Sequence, residues 1–264
     1  MKHLHFISGL PRAGTTLLAS ILRQNPAVHA SIMSPVGQIV TDAVTAMGER
    51  NEARSFITDV DREAIVKAIF NAYYAGSRPH VFDNNRRWLG NMDLLARLWP
   101  DARVIAMVRP FAEIVDSFER VFRAGIINPS VIYEGYSNTT VYDRYDAMMR
   151  AGGVIKYAYD ALKDAWYGPH KDRCLFIEYG QLAGKPQETL DVIADVCRLP
   201  PWKYAFDNIQ PVPGAAEFDQ QLLTPGLHSL MPIVKMDARP FILPPDLVGK
   251  CPASFWRVKE PATS

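Results

Sequence analysis

The sequence predicts an α/β fold of three layers, with helices on both sides of a central, mostly parallel sheet. Three observations support this prediction. A chain of 264 residues is long enough for one large domain with a substantial core. Short apolar runs, of which residues 103–108 are the clearest, alternate with helical stretches, as expected for buried parallel strands joined by helices. The chain also opens with a strand, a glycine-containing turn and a helix.

This opening unit comprises a short buried strand at residues 3–7, a turn at 8–14 and a helix at 15–22. The helix carries apolar residues at positions 17, 18, 21 and 22, which is the spacing of one helical face. A strand, a glycine loop and a helix together direct backbone N–H groups and the positive end of the helix at a phosphate. The sequence therefore predicts an anion site at this turn.

The turn is similar to a Walker A sequence with one departure. Gly9 and Gly14 are separated by four residues and Thr16 follows two positions later, but Thr15 stands where ATP-binding loops have lysine. Because that lysine reaches the β- and γ-phosphates, ATP hydrolysis is not expected. The positive charge lies inside the loop as Arg12, whose planar guanidinium suits bidentate contact with phosphate or sulfate. A tight turn without a ligand is the alternative.

The same signals predict the later elements. A strand is expected at 28–33, helices at 36–47 and 61–74, a strand at 80–83, a helix at 91–99, a strand at 103–108, a helix at 111–123, one or two helices within 141–165, a strand at 173–177 and a helix at 186–197. Residues 125–140 are expected to form a long loop, of a length often used as a lid or binding segment. The whole chain, 1–264, is predicted to be one domain, in which an irregular, proline-rich segment at 201–264 packs over a core at 1–200.

A basic residue also stands at the end of the strand predicted at 103–108. Arg109 comes directly after this strand, and Ser117 lies eight residues later, about two turns into the next helix. Ligands of open α/β sheets bind at the carboxyl ends of the strands. Arg86 and Arg87 follow the strand at 80–83 and occupy a comparable position.

Net charge, cysteine content and hydropathy narrow the possible functions and the cellular compartment. The formal net charge of +1 argues against a general nucleic-acid binder. Cys174, Cys197 and Cys251 are scattered without metal-ligand spacing, so we expect reduced cysteines and a cytoplasmic protein. No apolar run approaches the roughly 20 residues of a membrane-spanning helix. The first strand begins so close to Met1 that a signal peptide is not expected.

Residues 11–16, with the sequence PRAGTT, resemble the 5′-phosphosulfate loop of sulfotransferases that use 3′-phosphoadenosine-5′-phosphosulfate (PAPS). The usual form is Pro-Arg/Lys-Ser-Gly-Thr-Thr, and the tyrosylprotein-sulfotransferase-like branch also has arginine in this loop. The resemblance covers most of residues 3–200 and makes this core a nucleotide-binding unit with a P-loop-like phosphosulfate loop. It implies that six residues hold the phosphosulfate, namely Pro11, Arg12, Ala13, Gly14, Thr15 and Thr16.

The resemblance also implies a second anion site. Arg109 and Ser117 have the spacing of the arginine and serine that bind the 3′-phosphate of the donor, although Arg-Pro-Phe replaces the usual Arg-Asp/Asn-Pro. Tyr179 matches the tyrosine of a Tyr-Glu-Asp-Leu sequence and is placed near the adenine, or else it packs in the core. Lys235 and Arg239 lie at the position of a basic loop that closes over the donor, and solvent-facing charges are the alternative.

Two positions depart from the tyrosylprotein branch. Asn84 stands where that branch has a catalytic lysine, so Arg86 or Arg87 becomes the candidate cation. Met33 stands where it has a glutamate base, so sulfation of protein tyrosine is not expected.

A replacement general base is therefore needed, and the candidates are His29, Asp83 and His228. A lone histidine is more often structural than catalytic, which leaves the choice among the three open.

The resemblance implies transfer of a sulfuryl group from PAPS to a hydroxyl, or an amine, of a small-molecule or saccharide acceptor. The product is 3′,5′-bisphosphoadenosine (PAP), and no metal ion, nucleic acid or membrane is expected to take part. Two alternatives remain open: a catalytically impaired nucleotide-binding member of the fold, and a P-loop kinase of small molecules. The oligomeric state is not predicted.

Overall fold

The computed structural model describes residues 2–48, 51–125, 132, 139–236 and 239–257. These residues form one five-stranded sheet surrounded by helices. The strands are β1 (His3–Gly9), β2 (Val28–Ala30), β3 (His80–Asn84), β4 (Val104–Val108) and β5 (Cys174–Glu178). The α-helices are α1 (Thr15–Leu22), α2 (Val36–Ala46), α3 (Asp59–Tyr73), α4 (Met92–Leu98), α5 (Phe111–Ala124), α6 (Val141–Met149), α7 (Val154–Tyr167), α8 (Tyr179–Gly184), α9 (Pro186–Val196), α10 (Ala215–Gln221) and α11 (Pro245–Lys250).

The sheet has the strand order β2-β3-β1-β4-β5, and every pair of neighbouring strands is parallel. Ile7 of β1 is in register with Asn84 of β3, and Gly9 is in register with Met107 of β4. The carboxyl ends of these three strands therefore lie side by side. The turn after β1 is flanked by the end of β3 on one side and by the end of β4 on the other.

The sheet is buried on both faces. Every residue of β3 and of β4 is buried, and so is β1 from His5 onward. Because successive side chains of a strand point to opposite faces, helices must cover both sides of the sheet. The predicted three-layer α/β fold is confirmed. An aromatic cluster fills one part of the core, where Phe6, Phe70 and Trp88 contact one another.

Most elements were predicted within a few residues. Helix α1 has the predicted bounds, whereas β2 ends at Ala30, earlier than expected. Helix α3 begins two residues before the predicted start, because Thr58 and Asp61 form a capping box. The predicted loop at 125–140 lies outside the described residues apart from 125, 132 and 139–140.

The segment after residue 200 packs on the core, as its buried Leu227, Leu243 and Leu247 show. It contains two short helices, α10 and α11, where the sequence predicted irregular structure. Helices of six or seven residues give too few turns for a periodic signal. Within the segment, the N–H of Ile209 donates to the carbonyl of Pro232 at 2.7 Å, which links the stretch near residue 209 to the stretch near residue 232.

Candidate active site

The turn between β1 and α1 is held by close backbone packing. Gly9 has a φ of +122°, and a Cβ there would lie 2.1 Å from the carbonyl oxygen of Met107. Gly14 has a φ of +93°, and its Cβ would lie 2.8 Å from the Tyr179 ring. Because glycine at the N-cap of α1 has no side chain, the first-turn N–H groups are left for an anion.

The loop is bonded to the second predicted anion site. Arg12 Nε donates to Ser117 Oγ at 3.0 Å, and Arg12 Nη1 donates to the carbonyl of Leu227. Arg109 Nη1 in turn donates to the carbonyl of Arg12 at 3.2 Å. The sequence predicted two separate anion sites, and the structure joins them into one continuous surface. Arg109 also pairs with Glu113 at 2.8 Å.

Tyr179 lies at the junction of the two sites. Its ring contacts the loop at Gly14, and the Arg109 guanidinium carbon is 4.5 Å from the ring centroid. The side chain follows β5 directly, at the first residue of α8. Tyr179 thus packs against both anion-binding elements, on the β4–β5 side of the loop.

A cavity of about 940 Å³ opens over this edge of the sheet. All the predicted donor-site residues except the buried Ala13 line it, together with parts of the segment after residue 200. Six of its described lining residues are cationic: Arg12, Arg86, Arg87, Arg109, Lys235 and Arg239. Aspartate and glutamate are missing from the part of the lining that the structure describes. The cavity is therefore suited to anionic ligands.

A polar atom in the cavity wall supports the same interpretation. Ser8 is 1% exposed, lines the cavity next to Gly9, and its Oγ makes no hydrogen bond to any described residue. A buried hydroxyl without a partner is destabilising unless a ligand or water satisfies it.

The end of β3 supplies two more cations. The Arg86 side chain is exposed to the cavity. The surrounding protein nevertheless excludes enough water to lower the pKa of Arg86 below its usual value, and the nearby charge of Arg87 lowers this pKa further. Arg87 is half-buried, and its Nη2 donates to Gln38 Oε1 at 2.5 Å. Asn84 lines the cavity too, with its Nδ2 donating to the carbonyl of Ser31 at 3.1 Å.

His228 enters the cavity from the C-terminal segment with its ring held by a carboxylate. Its Nδ1 lies 2.5 Å from Asp219 Oδ1, and its backbone N–H donates to Asp219 Oδ2 at 2.8 Å. Asp219 is 3% exposed. Because a carboxylate accepts hydrogen bonds, the proton of neutral His228 resides on Nδ1, and Nε2 is left as an acceptor. A histidine so arranged is able to take up a proton from a ligand.

Comparison with known proteins decides the family. Residues 5–204 match the model of the sulfotransferase family. The chain belongs to the sulfotransferase family. The resemblance seen at residues 11–16 and 109–117 is thereby confirmed at the level of the family.

Individual relatives of this sulfotransferase are distant. The nodulation protein NoeE of Sinorhizobium fredii is 30% identical over 123 residues, which cover 40% of this chain and 29% of that protein. The chain thus matches less than a third of this relative. A sulfotransferase from Alicyclobacillus acidocaldarius is 13% identical, and the match covers 84% of this chain and 91% of that protein's chain. The TM-score of 0.50 shows that the two share the fold. The sulfotransferase domain of the Synechococcus PCC 7002 olefin synthase is 16% identical over 86% of each chain, with a TM-score of 0.49.

Two of the bases predicted for the sulfotransferase lie away from the cavity. Asp83 is fully buried and accepts hydrogen bonds from Ser34 Oγ at 2.7 Å, Tyr74 Oη at 2.7 Å and Trp88 Nε1 at 2.8 Å. Burial raises the pKa of Asp83, and the three hydrogen bonds oppose the rise. His29 packs edge-on against Tyr74 at 5.4 Å, and burial lowers its pKa. Neither residue lines the cavity, which argues against the expectation that Asp83 or His29 is the base, because an acceptor hydroxyl could not reach them.

Asp219 was not found by sequence reasoning. It lies nine residues before His228, in a segment predicted to be irregular, and α10 presents it to the ring. The sequence contains no motif that joins the two residues. The described residues contain no cluster of side chains that could hold a metal ion, and none of their helices is long and apolar enough to cross a bilayer.

Proposed function

We propose that this sulfotransferase transfers a sulfuryl group from PAPS to a hydroxyl group of a small-molecule or saccharide acceptor. The observation that carries the proposal is the bonded junction of the two anion sites, in which Arg12 contacts Ser117 and Arg109 contacts the Arg12 carbonyl. The 3′-phosphate and the 5′-phosphosulfate belong to one ribose, so a donor of this kind requires two adjacent sites. The orphaned hydroxyl of Ser8 and the first-turn N–H groups of α1 fit an anionic group in the same place.

The donor side is assigned as follows. The N–H groups of residues 13–16, the hydroxyls of Thr15 and Thr16, and the Arg12 guanidinium surround the phosphosulfate, with Pro11 fixing the turn. Arg109 and Ser117 hold the 3′-phosphate, and Tyr179 lies beside the adenine. Groups fixed in advance around a developing negative charge stabilise the transition state more than water does.

The transfer step needs a cation near the sulfuryl group and a base near the acceptor. The acceptor oxygen forms a bond to sulfur while the bond from sulfur to the bridging oxygen of the donor breaks, which releases PAP. Arg86 stabilises charge on the oxygens of the transferred group, in place of the lysine that Asn84 replaces. His228 Nε2 takes the proton of the acceptor hydroxyl, since Asp219 keeps the other ring nitrogen protonated.

The cellular setting is proposed on separate grounds. All three cysteines are free, and burial raises the pKa of the Cys174 and Cys197 thiols to about 12. Thiols that stay protonated and unpaired suit a cytoplasmic enzyme.

Binding and turnover measurements with the Arg12→Ala variant test the function. Calorimetry of the wild-type protein is expected to show PAP binding without magnesium and weak binding of ATP, because Thr15 stands where ATP-binding loops have the lysine that contacts the γ-phosphate. Arg12→Ala should lower sulfuryl transfer from PAPS by about 100-fold or more, with the fold retained by circular dichroism. Arg97→Ala is the matched control, because Arg97 is exposed and pairs with Glu63 outside the cavity.

Three results would contradict the proposal. Tight, magnesium-dependent binding of ATP would favour a kinase. Slow donor hydrolysis with no transfer to any hydroxylated acceptor would favour an impaired member of the family. Normal turnover by Arg12→Ala would show that the loop does not hold the donor as proposed.

A further inference from the structure

The cations of the cavity fall on two sides of the loop after β1. Arg109 and Tyr179 follow β4 and β5, so the proposed nucleotide site extends toward that half of the sheet. Arg86 and Arg87 follow β3, on the opposite side, where the N–H of Asn85 donates to the Ile7 carbonyl at 3.0 Å. If the donor nucleotide lies over β4 and β5, the acceptor must approach from the half of the sheet that carries these two arginines.

The two arginines on the β3 side are not neutralised by the protein. In the described part of the chain, Arg86 makes no hydrogen bond or ion pair. Arg87 is oriented by the neutral amide of Gln38, whose Nε2 donates to Asp42 Oδ1 at 2.7 Å. Gln38 thus fixes the position of the Arg87 guanidinium without cancelling its charge.

Seven of the other described arginines are paired with acids, whereas Arg78 and Arg173 bond to backbone carbonyls. Examples are Arg62 with Asp59, Arg97 with Glu63, Arg120 with Asp116, Arg144 with Glu119 and Arg257 with Glu178. Arg109, on the nucleotide side, has Glu113 as its partner. The acid nearest to Arg86 in sequence, Asp83, is fully occupied by Ser34, Tyr74 and Trp88.

Two adjacent cations in a concave site repel each other, and an anion bound between them would relieve the repulsion. We propose that the acceptor is itself an anion, and that Arg87 binds a carboxylate or phosphate group on it. A guanidinium held by one hydrogen bond keeps N–H groups for bidentate contact with such a group. This inference rests on the proposed function for the role of the cavity, and it leaves Arg86 to the transferred sulfuryl group.

The cavity also has apolar surface that suits a carbon skeleton linking this anion to the reacting hydroxyl. Met33, Val154 and Tyr157 line the same cavity and present apolar surface. The inferred acceptor class is therefore a hydroxylated molecule with an apolar or aromatic body and one anionic group.

Ligands of similar shape that differ in charge test whether the site prefers an anion. Calorimetric titrations of the PAP-saturated protein use 4-(hydroxymethyl)benzoate, its phosphate counterpart 4-(hydroxymethyl)phenyl phosphate and the neutral 4-(hydroxymethyl)benzamide. At least one anion is expected to bind about tenfold more tightly than the amide, because a bidentate hydrogen bond between two charged groups is stronger than one to a neutral amide. The tighter of the two anions identifies the group as carboxylate or phosphate.

Variants assign the preference to the proposed residue. Arg87→Gln, which keeps hydrogen-bonding capacity and removes the charge, should reduce the preference to about threefold or less. Arg97→Gln, outside the cavity, should leave the preference intact. Equal affinities of the wild type for anions and amide, including no binding of any of them, would overturn the inference. A preference that survives Arg87→Gln would overturn it too, since the anion would then be bound elsewhere.

PAP affinity, measured in each protein, separates the two proposals. If PAP does not bind, the proposed function fails, and titrations without PAP, compared between wild type and Arg87→Gln, then test only whether Arg87 binds an anion. If PAP binds and the anion preference is absent, the inference alone fails.

Discussion

At the scale of single residues, the pair formed by Asp219 and His228 gives the cavity its candidate base. The carboxylate contacts both the ring and the backbone N–H of the histidine, so the ring is fixed in position as well as in tautomer. Asp219 touches no proposed ligand position and is not among the cavity-lining residues. Any effect it has on transfer must therefore act through His228.

We predict that Asp219→Asn lowers sulfuryl transfer by about 100-fold or more, because the amide is able to donate to Nδ1 and would move the ring proton to Nε2. Nitrogen NMR of the labelled histidine should show the Nδ1–H tautomer in the wild type and the Nε2–H tautomer in the variant. His228→Ala should lower the rate of transfer by a similar factor, and the double variant should lower it no more than either single variant does. An unchanged tautomer together with an unchanged rate would refute the positioning role, and PAP affinity should be the same throughout.

The residues that could be predicted from the sequence are those tied to a local pattern. Arg12, Gly14 and Thr15 lie within one turn, and Ser117 lies on the helix that follows Arg109, so a comparison of these short stretches with the motifs of a known family was enough to propose them. Asp219 could not be found, because its contact with His228 depends on how the C-terminal segment folds over the sheet.

At the scale of elements, the end of β3 shows how a buried acid positions two cations of the cavity. Asp83 is bonded to α3 through Tyr74 and to the short helix Trp88–Asn91 through the indole of Trp88. The chain between Asp83 and Trp88 contains Arg86 and Arg87. The sequence predicted the strand, whereas only the three-dimensional structure shows that Asp83 is enclosed by three hydrogen-bond donors while the next side chains line a cavity.

We expect Asp83→Ala to lower the free energy of unfolding by about 3–5 kcal/mol, since it leaves the donors of Ser34, Tyr74 and Trp88 without their buried acceptor. Urea denaturation followed by circular dichroism measures the change. Asp93→Ala is the control, because the Asp93 side chain is 94% exposed. This substitution should lower the free energy of unfolding by about 0.5 kcal/mol or less. A variant of normal stability that had lost sulfuryl transfer would show instead that Asp83 is catalytic.

At the scale of the whole molecule, the two edges of the sheet have different roles. The carboxyl edge carries the cations of the cavity, and the amino edge carries a group of histidines. His3 and His80 stack at 4.8 Å, and His5 Nδ1 accepts a hydrogen bond from the N–H of Arg103 at 3.2 Å. This edge lies outside the proposed site, so its titration should affect stability rather than binding.

The amino edge makes the fold sensitive to acid. Burial, with smaller contributions from the charges of His80 and His3, lowers the pKa of His5 from 6.5 to about 4. The unfolded chain therefore binds more protons than the native protein between these values, so stability rises with pH across this interval. The contribution of His5 is complete above pH 6.5 and is lost as the pH falls toward 4. At about 1.4 kcal/mol per pKa unit, it amounts to about 3 kcal/mol.

We predict that His5→Gln, which keeps a polar group able to accept from the Arg103 N–H, flattens this dependence. Urea denaturation at pH 7.5, 6, 5 and 4.5 should give a steeper loss of unfolding free energy in the wild type than in the variant. The carboxylates titrate in both proteins, so the difference between the two curves isolates the histidine. Lys67→Gln, a substitution of a partly exposed residue on α3, should reproduce the wild-type curve. Parallel curves for wild type and His5→Gln would show that His5 does not couple folding to pH, and the lower acid stability would then have to come from the other buried groups.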